Sequence, residues 1–320
     1  MRVGVVVIGR NEGERLRRCL ASIVGQAEAV VYVDSGSTDG SVELARSLGV
    51  ATVDLDMSVP FTAARARNAG FTALRTARPD LSYVQFVDGD CELAPGWLRA
   101  ACDFLEVHAE VAMVCGRLRE RHPDRSIYNR LCDIEWDAPA GESRACGGNA
   151  MGRVAVLAMA GGYRDSMIAG EEPELCLRLR SAGWKIWRLP DEMALHDAAM
   201  TRFGQWWKRA VRGGHAFAEG AFAHGERNNM IESRRIWLWA ALLPALTMFA
   251  LPLTGAWGLL LLSAYPLQVV RLARRGKHAV RENYVWAFFN VLGKFPQLLG
   301  QFRFHVNRLA TGETRLIEYK

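Results

Sequence analysis

Seven segments of alternating character fill residues 3–87, and they constrain the fold more than anything else in the chain. Apolar, β-prone runs at 3–8, 29–33, 51–53 and 83–87 are separated by helical patterns at 14–25, 41–48 and 62–75. Strand and helix repeated at this spacing make βαβ units, so the expected class is α/β with a mainly parallel sheet. In an open sheet of this kind ligands bind at the carboxyl ends of the strands. The run Val84-Gln85-Phe86-Val87 ends there on two carboxylates, Asp88-Gly89-Asp90. Two Asp at i and i+2 can share one hard cation with a substrate phosphate, although Asp-Gly-Asp also makes an ordinary turn.

The other strand ends carry similar chemistry. The first runs into Gly9-Arg10-Asn11-Glu12, the second into Asp34-Ser35-Gly36-Ser37-Thr38-Asp39-Gly40. Together the loops would bring Glu12, Asp34, Asp39, Asp88 and Asp90 around one crevice. Carboxylates there can accept hydrogen bonds from a nucleobase N–H and from ribose hydroxyls, while Asp90 holds a metal. The 34–40 loop also reads as a helix start, with Ser37, Thr38 or Asp39 as the cap.

Bulk properties narrow the class. A net charge of +6 suits anionic partners, but the basic residues form no long blocks, so nucleic acid is not expected as a partner. The seven cysteines are scattered with no Cys-x-x-Cys, which reads as reduced thiols and excludes a disulfide framework or a zinc site of that type. The N-terminal run reads as a strand, and no secretory signal is expected. Neither a P-loop nor a Gly-x-Gly-x-x-Gly fingerprint occurs, which argues against an ATPase or a dehydrogenase.

Composition changes near residue 233. Residues 236–270 are nearly devoid of charge, with Arg234-Arg235 before them and Arg271, Arg274, Arg275 and Lys277 after. Pro252-Leu253-Thr254-Gly255 interrupts the run, so a helical hairpin at about 236–272, spanning or re-entrant in a membrane, is expected with both ends in the cytosol. Its halves read as slightly short for a ~30 Å hydrocarbon layer, and a pair of buried helices is the alternative. An amphipathic helix at about 283–308, kinked at Pro296, would lie in the headgroup region or pack on the preceding domain. The expected organisation is 1–232, with a nucleotide-binding half (1–100) and an acceptor half (101–232), followed by a membrane-associated helical region at 233–320.

Six motifs in order resemble family 2 glycosyltransferases with the GT-A nucleotide-sugar fold. They are Arg10-Asn11-Glu12, the 34–40 loop, Ala66-Arg67-Asn68-Ala69-Gly70, Asp88-Gly89-Asp90, Gly147-Gly148-Asn149 and Gly170-Glu171-Glu172-Pro173-Glu174-Leu175. The resemblance covers roughly residues 1–215. It implies that Asp34 and Asp88 hold base and ribose, that Arg67 lies near the diphosphate, and that Glu12, Asp39 and Asn149 line the nucleotide-sugar site. It also implies Mn²⁺ or Mg²⁺ on Asp90, with His196 as a further metal or diphosphate ligand. In the family the second member of the acidic pair is usually Asp and acts as general base. Here the slot is Glu172, with Glu171 as the alternative, and simple charging of a helix N-terminus would also place acids there. Trp206 or Trp207 would stack on a sugar and Arg209 would meet the diphosphate, unless this basic segment touches anionic lipid instead.

The resulting expectation is a metal-dependent inverting glycosyltransferase. It would move a sugar from a nucleotide-diphosphate donor to a hydroxyl of a glycan or polyprenyl-linked acceptor, in envelope or exopolysaccharide synthesis. It would work on membrane lipid at the cytoplasmic face of the inner membrane. The alternatives are a sugar nucleotidyltransferase-like enzyme, which usually carries a Lys in the first loop, and a non-catalytic membrane adaptor.

Overall fold

The computed structural model describes residues 2–310, so the last ten positions of the C-terminal region lie outside the described residues. The chain forms two compact units, 1–124 with 135–199 and 125–134 with 200–320.

The first unit is an α/β layer structure. Its strands are β1 (Val3–Gly9), β2 (Ala29–Asp34), β3 (Ala51–Asp54), β4 (Tyr83–Asp88), β5 (Cys91–Leu93), β6 (Val111–Glu120), β7 (Gly141–Ser143), β8 (Ala150–Arg153) and β9 (Lys185–His196). They form one sheet in the order β3-β2-β1-β4-β8-β6-β9-β5, with β7 on β9. The β3-β2-β1-β4 half is parallel, while β8 runs antiparallel to both β4 and β6. Val3, Val5, Val6 and Val7 of β1 are fully buried apolar positions, as expected of a strand covered on both faces. Helices α1 (Glu14–Ala21), α2 (Ser41–Ser47), α3 (Ala63–Ala77) and α4 (Trp97–Val107) supply the cover. Each turns inward an apolar face, such as Leu16, Cys19 and Leu20 on α1.

The long strand β9 carries a proline within it. Pro190-Asp191 does not end a strand, because β9 continues through it to His196. The cost is an irregular register with β6, where Cys115 pairs with Arg188 but Arg117 pairs with Glu192. A skipped pair lets the proline sit where no ladder N–H is needed.

In the second unit the elements are α5 (Ile127–Trp136, within the unit as far as Ile134), α8 (Phe203–His224), α9 (Arg227–Trp237), α10 (Leu243–Thr254), α11 (Ala264–Ala273), α12 (Val280–Leu292) and α13 (Lys294–Ala310). Helices α6 (Val154–Met159) and α7 (Glu171–Ser181) belong to the first unit. The division at residue 200 precedes the compositional change at 233, because α8 packs on α13. Their backbones meet so closely that a β-carbon at Gly300 would lie 2.0 Å from the Val211 carbonyl oxygen. The single amphipathic helix expected over 283–308 is two helices, α12 and α13, which meet at Gly293. Pro296 introduces no kink: it lies in the first turn of α13, where its missing N–H has no intrahelical partner to lose.

Candidate active site

Sheet register creates the site. Gly9 of β1 pairs with Asp34 of β2, and Ile8 pairs with Asp88 of β4. Asp34 and Asp88 therefore flank the carboxyl end of β1, about 10 Å apart across two strand spacings.

The loops at this edge are tied to one another. The Asn11 side-chain carbonyl accepts from the Thr38 N–H at 2.8 Å, and the Asn11 N–H donates to the Ser37 hydroxyl at 2.9 Å. Asp34 is almost fully buried and accepts from the Tyr32 hydroxyl and from the Gly36 and Ser37 N–H groups, at 2.7–2.9 Å. Its carboxylate thus shapes the loop that follows it. Asp39 accepts from the Ser41 N–H and hydroxyl, at 3.1 and 2.6 Å, and organises the start of α2. Glu12 pairs with Arg15 at 2.8 Å, and its stem lies against Gly89 of the Asp-Gly-Asp turn.

The densest charge cluster centres on Arg67 of α3, a buried guanidinium among three carboxylates. Nη2 meets Asp88 at 2.9 Å, and Nη1 meets Glu171 at 2.8 Å and Glu172 at 3.2 Å. Its ring-facing side lies 5.5 Å from the centre of buried Tyr163. Both glutamates open α7, where the helix dipole favours negative charge. They differ in access: the Glu171 side chain is 3% exposed and that of Glu172 is 19% exposed. Burial, and then the neighbouring Glu171 charge, raise the Glu172 carboxyl from 4.5 to about 7, against the pull of Arg67. Asn149 accepts from the Asp88 N–H at 3.1 Å, which fixes the strand end that carries Asp88. Gly148 lies beside the pair, and a β-carbon there would come 2.3 Å from Arg67 Nη2. Only glycine admits that approach.

A second cluster lies at the β5–β9 pairing, where Cys91 stands opposite His196. Asp90, Cys91 and His196 each place a ligand atom within 4.8 Å of the others, with Asp90 Oδ2 3.0 Å from His196 Nε2. Burial and the Asp88 charge hold Cys91 as a thiol, which accepts from the Asn149 side-chain amide at 3.3 Å. Trp136 stacks on the His196 ring at 4.6 Å. One carboxylate and one imidazole fit a divalent first-row cation, and the carboxylate oxygen suits Mg²⁺ or Mn²⁺.

Trp206, Trp207 and Arg209 lie on α8 of the second unit. Trp206 is buried there, with its ring 5.0 Å from Phe289 and 5.4 Å from Phe203. Within its own unit it is a packing residue, while Trp207 and Arg209 are half-buried.

Several supporting residues escaped the sequence reading. Asn68, next to Arg67, donates to the Tyr163 carbonyl at 2.7 Å and to Asp165 at 2.6 Å, and accepts from the Tyr163 N–H. Arg178 binds the Ala160 and Gly162 carbonyls and pairs with buried Glu174. These contacts fasten the 160–170 loop that delivers Glu171 and Glu172. Asn68 and Glu174 stand inside quoted motifs, and Tyr163 and Arg178 flank the acidic one, so a signal existed; Trp136 carried none.

Residues 4–160 match the model of Glycosyl transferase family 2. Among curated proteins, the chain is 24% identical over 225 residues to Glycosyltransferase AglE of Haloferax volcanii, covering 66% of this chain and 71% of that protein. It is 27% identical over 243 residues to Pre-mycofactocin glycosyltransferase of Mycobacterium tuberculosis, covering 70% of this chain and 48% of that protein. The chain therefore spans about half the length of the latter. Among solved structures, Mannosyltransferase PcManGT from Pyrobaculum calidifontis, in complex with GDP-Man and Mn²⁺, superposes with a TM-score of 0.60 at 19% identity, covering 94% of this chain and 87% of that one. S. aureus TarS 1-349 superposes with a TM-score of 0.53 at 15% identity, covering 93% and 92%. These likenesses carry the fold.

Proposed function

Residues 4–160 are a glycosyl transferase family 2 domain, and the chain is a glycosyltransferase of GT-A-like fold; from that premise we propose that it transfers a sugar by a single inverting displacement, with Glu172 as the base. The donor is a nucleotide-diphosphate sugar and the acceptor a hydroxyl of a glycan or lipid-linked glycan. The work is done at the cytoplasmic face of the inner membrane, in envelope or exopolysaccharide synthesis.

One observation carries the assignment of the base. Of the two acids that open α7, Glu172 is the one solvent reaches, and its carboxyl titrates about where a base operating near neutral pH needs to. In the displacement, Glu172 takes the acceptor hydroxyl proton as that oxygen bonds to the anomeric carbon. The bond from that carbon to the diphosphate oxygen breaks, and its electron pair leaves with the diphosphate. Glu171 and Arg67 position the base, and Arg67 also holds Asp88 at the opposite edge of the cluster. Asp34, Asn11 and the 34–40 loop form the floor for the nucleoside, with Asp39 holding the end of that loop and Glu12 lying against the Asp88-Gly89-Asp90 turn. Asp90 and His196 would hold Mn²⁺ or Mg²⁺, which supplies positive charge to the leaving diphosphate when bound.

Calorimetry with UDP and GDP, each with and without Mn²⁺, tests donor recognition. Tight binding of one nucleotide only with Mn²⁺ is expected, and Asp90→Asn should weaken that Mn²⁺-dependent binding at least about tenfold, the loss of one strong oxygen ligand. Equal binding by the variant would remove Asp90 from the metal site. A panel of nucleotide sugars scored for donor hydrolysis then identifies the base and the sugar.

A further inference from the structure

The apolar run of the second unit is built to a definite depth. Its helices run from Arg227 to Ala273 on both sides of a break at Gly255, and only 17% of its most apolar 18-residue stretch is buried. A core helix of a soluble domain is mostly buried, so this stretch lacks the cover its composition calls for. The run also turns back on itself. Gly255 has φ +60°, the Tyr265 hydroxyl donates to the Trp239 carbonyl at 2.6 Å, and a β-carbon at Gly258 would meet the Leu251 N at 2.9 Å. These contacts pair residues on either side of a reversal at 254–255, so the two arms run antiparallel.

The arms differ in conformation. The outgoing arm comprises a five-residue π segment, Leu238–Leu242, and then α10. The return arm begins with a nine-residue 3₁₀ segment, Gly255–Ser263, followed by α11. A 3₁₀ helix rises about 2.0 Å per residue against about 1.5 Å in an α-helix. From the turn to the Trp239–Tyr265 contact the outgoing arm therefore measures about 22 Å, and the shorter return arm about 21 Å. The stretched conformation thus equalises arms of unequal residue number. Continued to the first charges, Arg235 on one arm and Arg271 on the other, each arm measures about 28–30 Å, the thickness of a bilayer's hydrocarbon core. The residues nearest the turn are among the most exposed apolar side chains, with Leu253 at 84% and Trp257 at 75%. Trp257 at the turn and Trp237 at the base mark two levels where aromatic rings meet headgroups. The charges nearest the run on each side are basic and at the base: Arg234 and Arg235 before it, Arg271, Arg274, Arg275 and Lys277 after it.

We infer that this hairpin crosses the whole hydrocarbon layer of a phospholipid bilayer, with both feet on the basic, cytosolic side and only the Thr254-Gly255 turn reaching the far face. The inference rests on the membrane reading given above and sharpens it from attachment to full crossing. Such a hairpin anchors the enzyme against extraction while leaving every connecting loop but one on the cytosolic side.

The test uses the full-length chain expressed in a bacterial host, with Thr254→Cys at the turn or Lys277→Cys at a foot. The native cysteines are buried, so an impermeant maleimide reports the introduced thiols. The Thr254→Cys protein should label in right-side-out membrane vesicles and not in inverted ones, and the Lys277→Cys protein should show the reverse pattern. Labelling of both from the same face, or of Thr254→Cys only after detergent, would show a re-entrant hairpin and overturn the inference. Release of the wild-type chain from the vesicles by alkaline carbonate would instead overturn the membrane reading itself. A carbonate-soluble dimer would assign the apolar face to a second copy of this chain.

Discussion

Glu172→Gln should lower kcat by about 10²- to 10⁴-fold, the range for removal of a general base, while leaving donor KM nearly unchanged. It should also make the folded protein more stable at alkaline pH. The sign follows from linkage. The carboxyl titrates near 4.5 when unfolded and at about 7 when folded, so between these values the folded state holds the proton more tightly. Stability therefore falls as pH climbs through that window and stays lower above it. Glutamine removes the cost, so at pH 8 the variant should gain on the order of 2 kcal/mol, and at pH 4 nothing. Urea unfolding at the two pH values, beside steady-state kinetics, separates the cases. A variant that turns over normally would dismiss Glu172 as the base. One that is inactive yet gains no stability would keep the role and dismiss the strained carboxyl. In the wild type, kcat should rise with pH through about 7 as the base loses its proton.

Arg67→Met is expected to have the largest structural effect of any single change in the first unit. It removes the guanidinium that pairs with Asp88, Glu171 and Glu172 together. Breaking a buried ion pair from one side costs about 3–5 kcal/mol, because the remaining charge is uncompensated. The midpoint of urea unfolding should fall accordingly, and most at high pH, where all three acids are ionised. Any residual activity should shift its acid limb to higher pH, since Arg67 holds the Glu172 carboxyl down. Arg67→Lys should recover only part of the loss. A single ammonium cannot reach Asp88 and the glutamate pair with the two-pronged geometry of a guanidinium. A variant within about 0.5 kcal/mol of wild type would mean that solvent already screens the cluster.

The parallel half of the sheet was legible in the sequence because its signal is local. Each strand is a short apolar run, each helix a periodic one, and the carboxylates at 34, 88 and 90 sit where such runs stop. The clustering of Asp90 with His196 needed the β5–β9 pairing, which no local pattern announces. The Arg67–Glu171 bond joins residues 104 positions apart, so motif order could suggest a shared site but not this ion pair. Asp39 and Trp206 also have structural partners. The acid in the loop starts α2, and the aromatic on the basic helix packs in the interior of its unit. At Pro190 and Pro296 the local rule was outweighed, by an irregular register in one case and by position in the first helical turn in the other.

Arg67 and Asn68 occupy consecutive positions of α3 and grip different things, the first the acids at the head of α7 and the second the loop that leads there. Neighbours on a helix point about 100° apart, so both grips hold only while α3 keeps its rotation and its height on the sheet. The helix thus acts as a gauge for a segment nearly a hundred residues downstream. Segments exchanged with related enzymes would be tolerated when α3 and the stretch through Arg178 move as one block, and a graft of either alone would leave the base out of place.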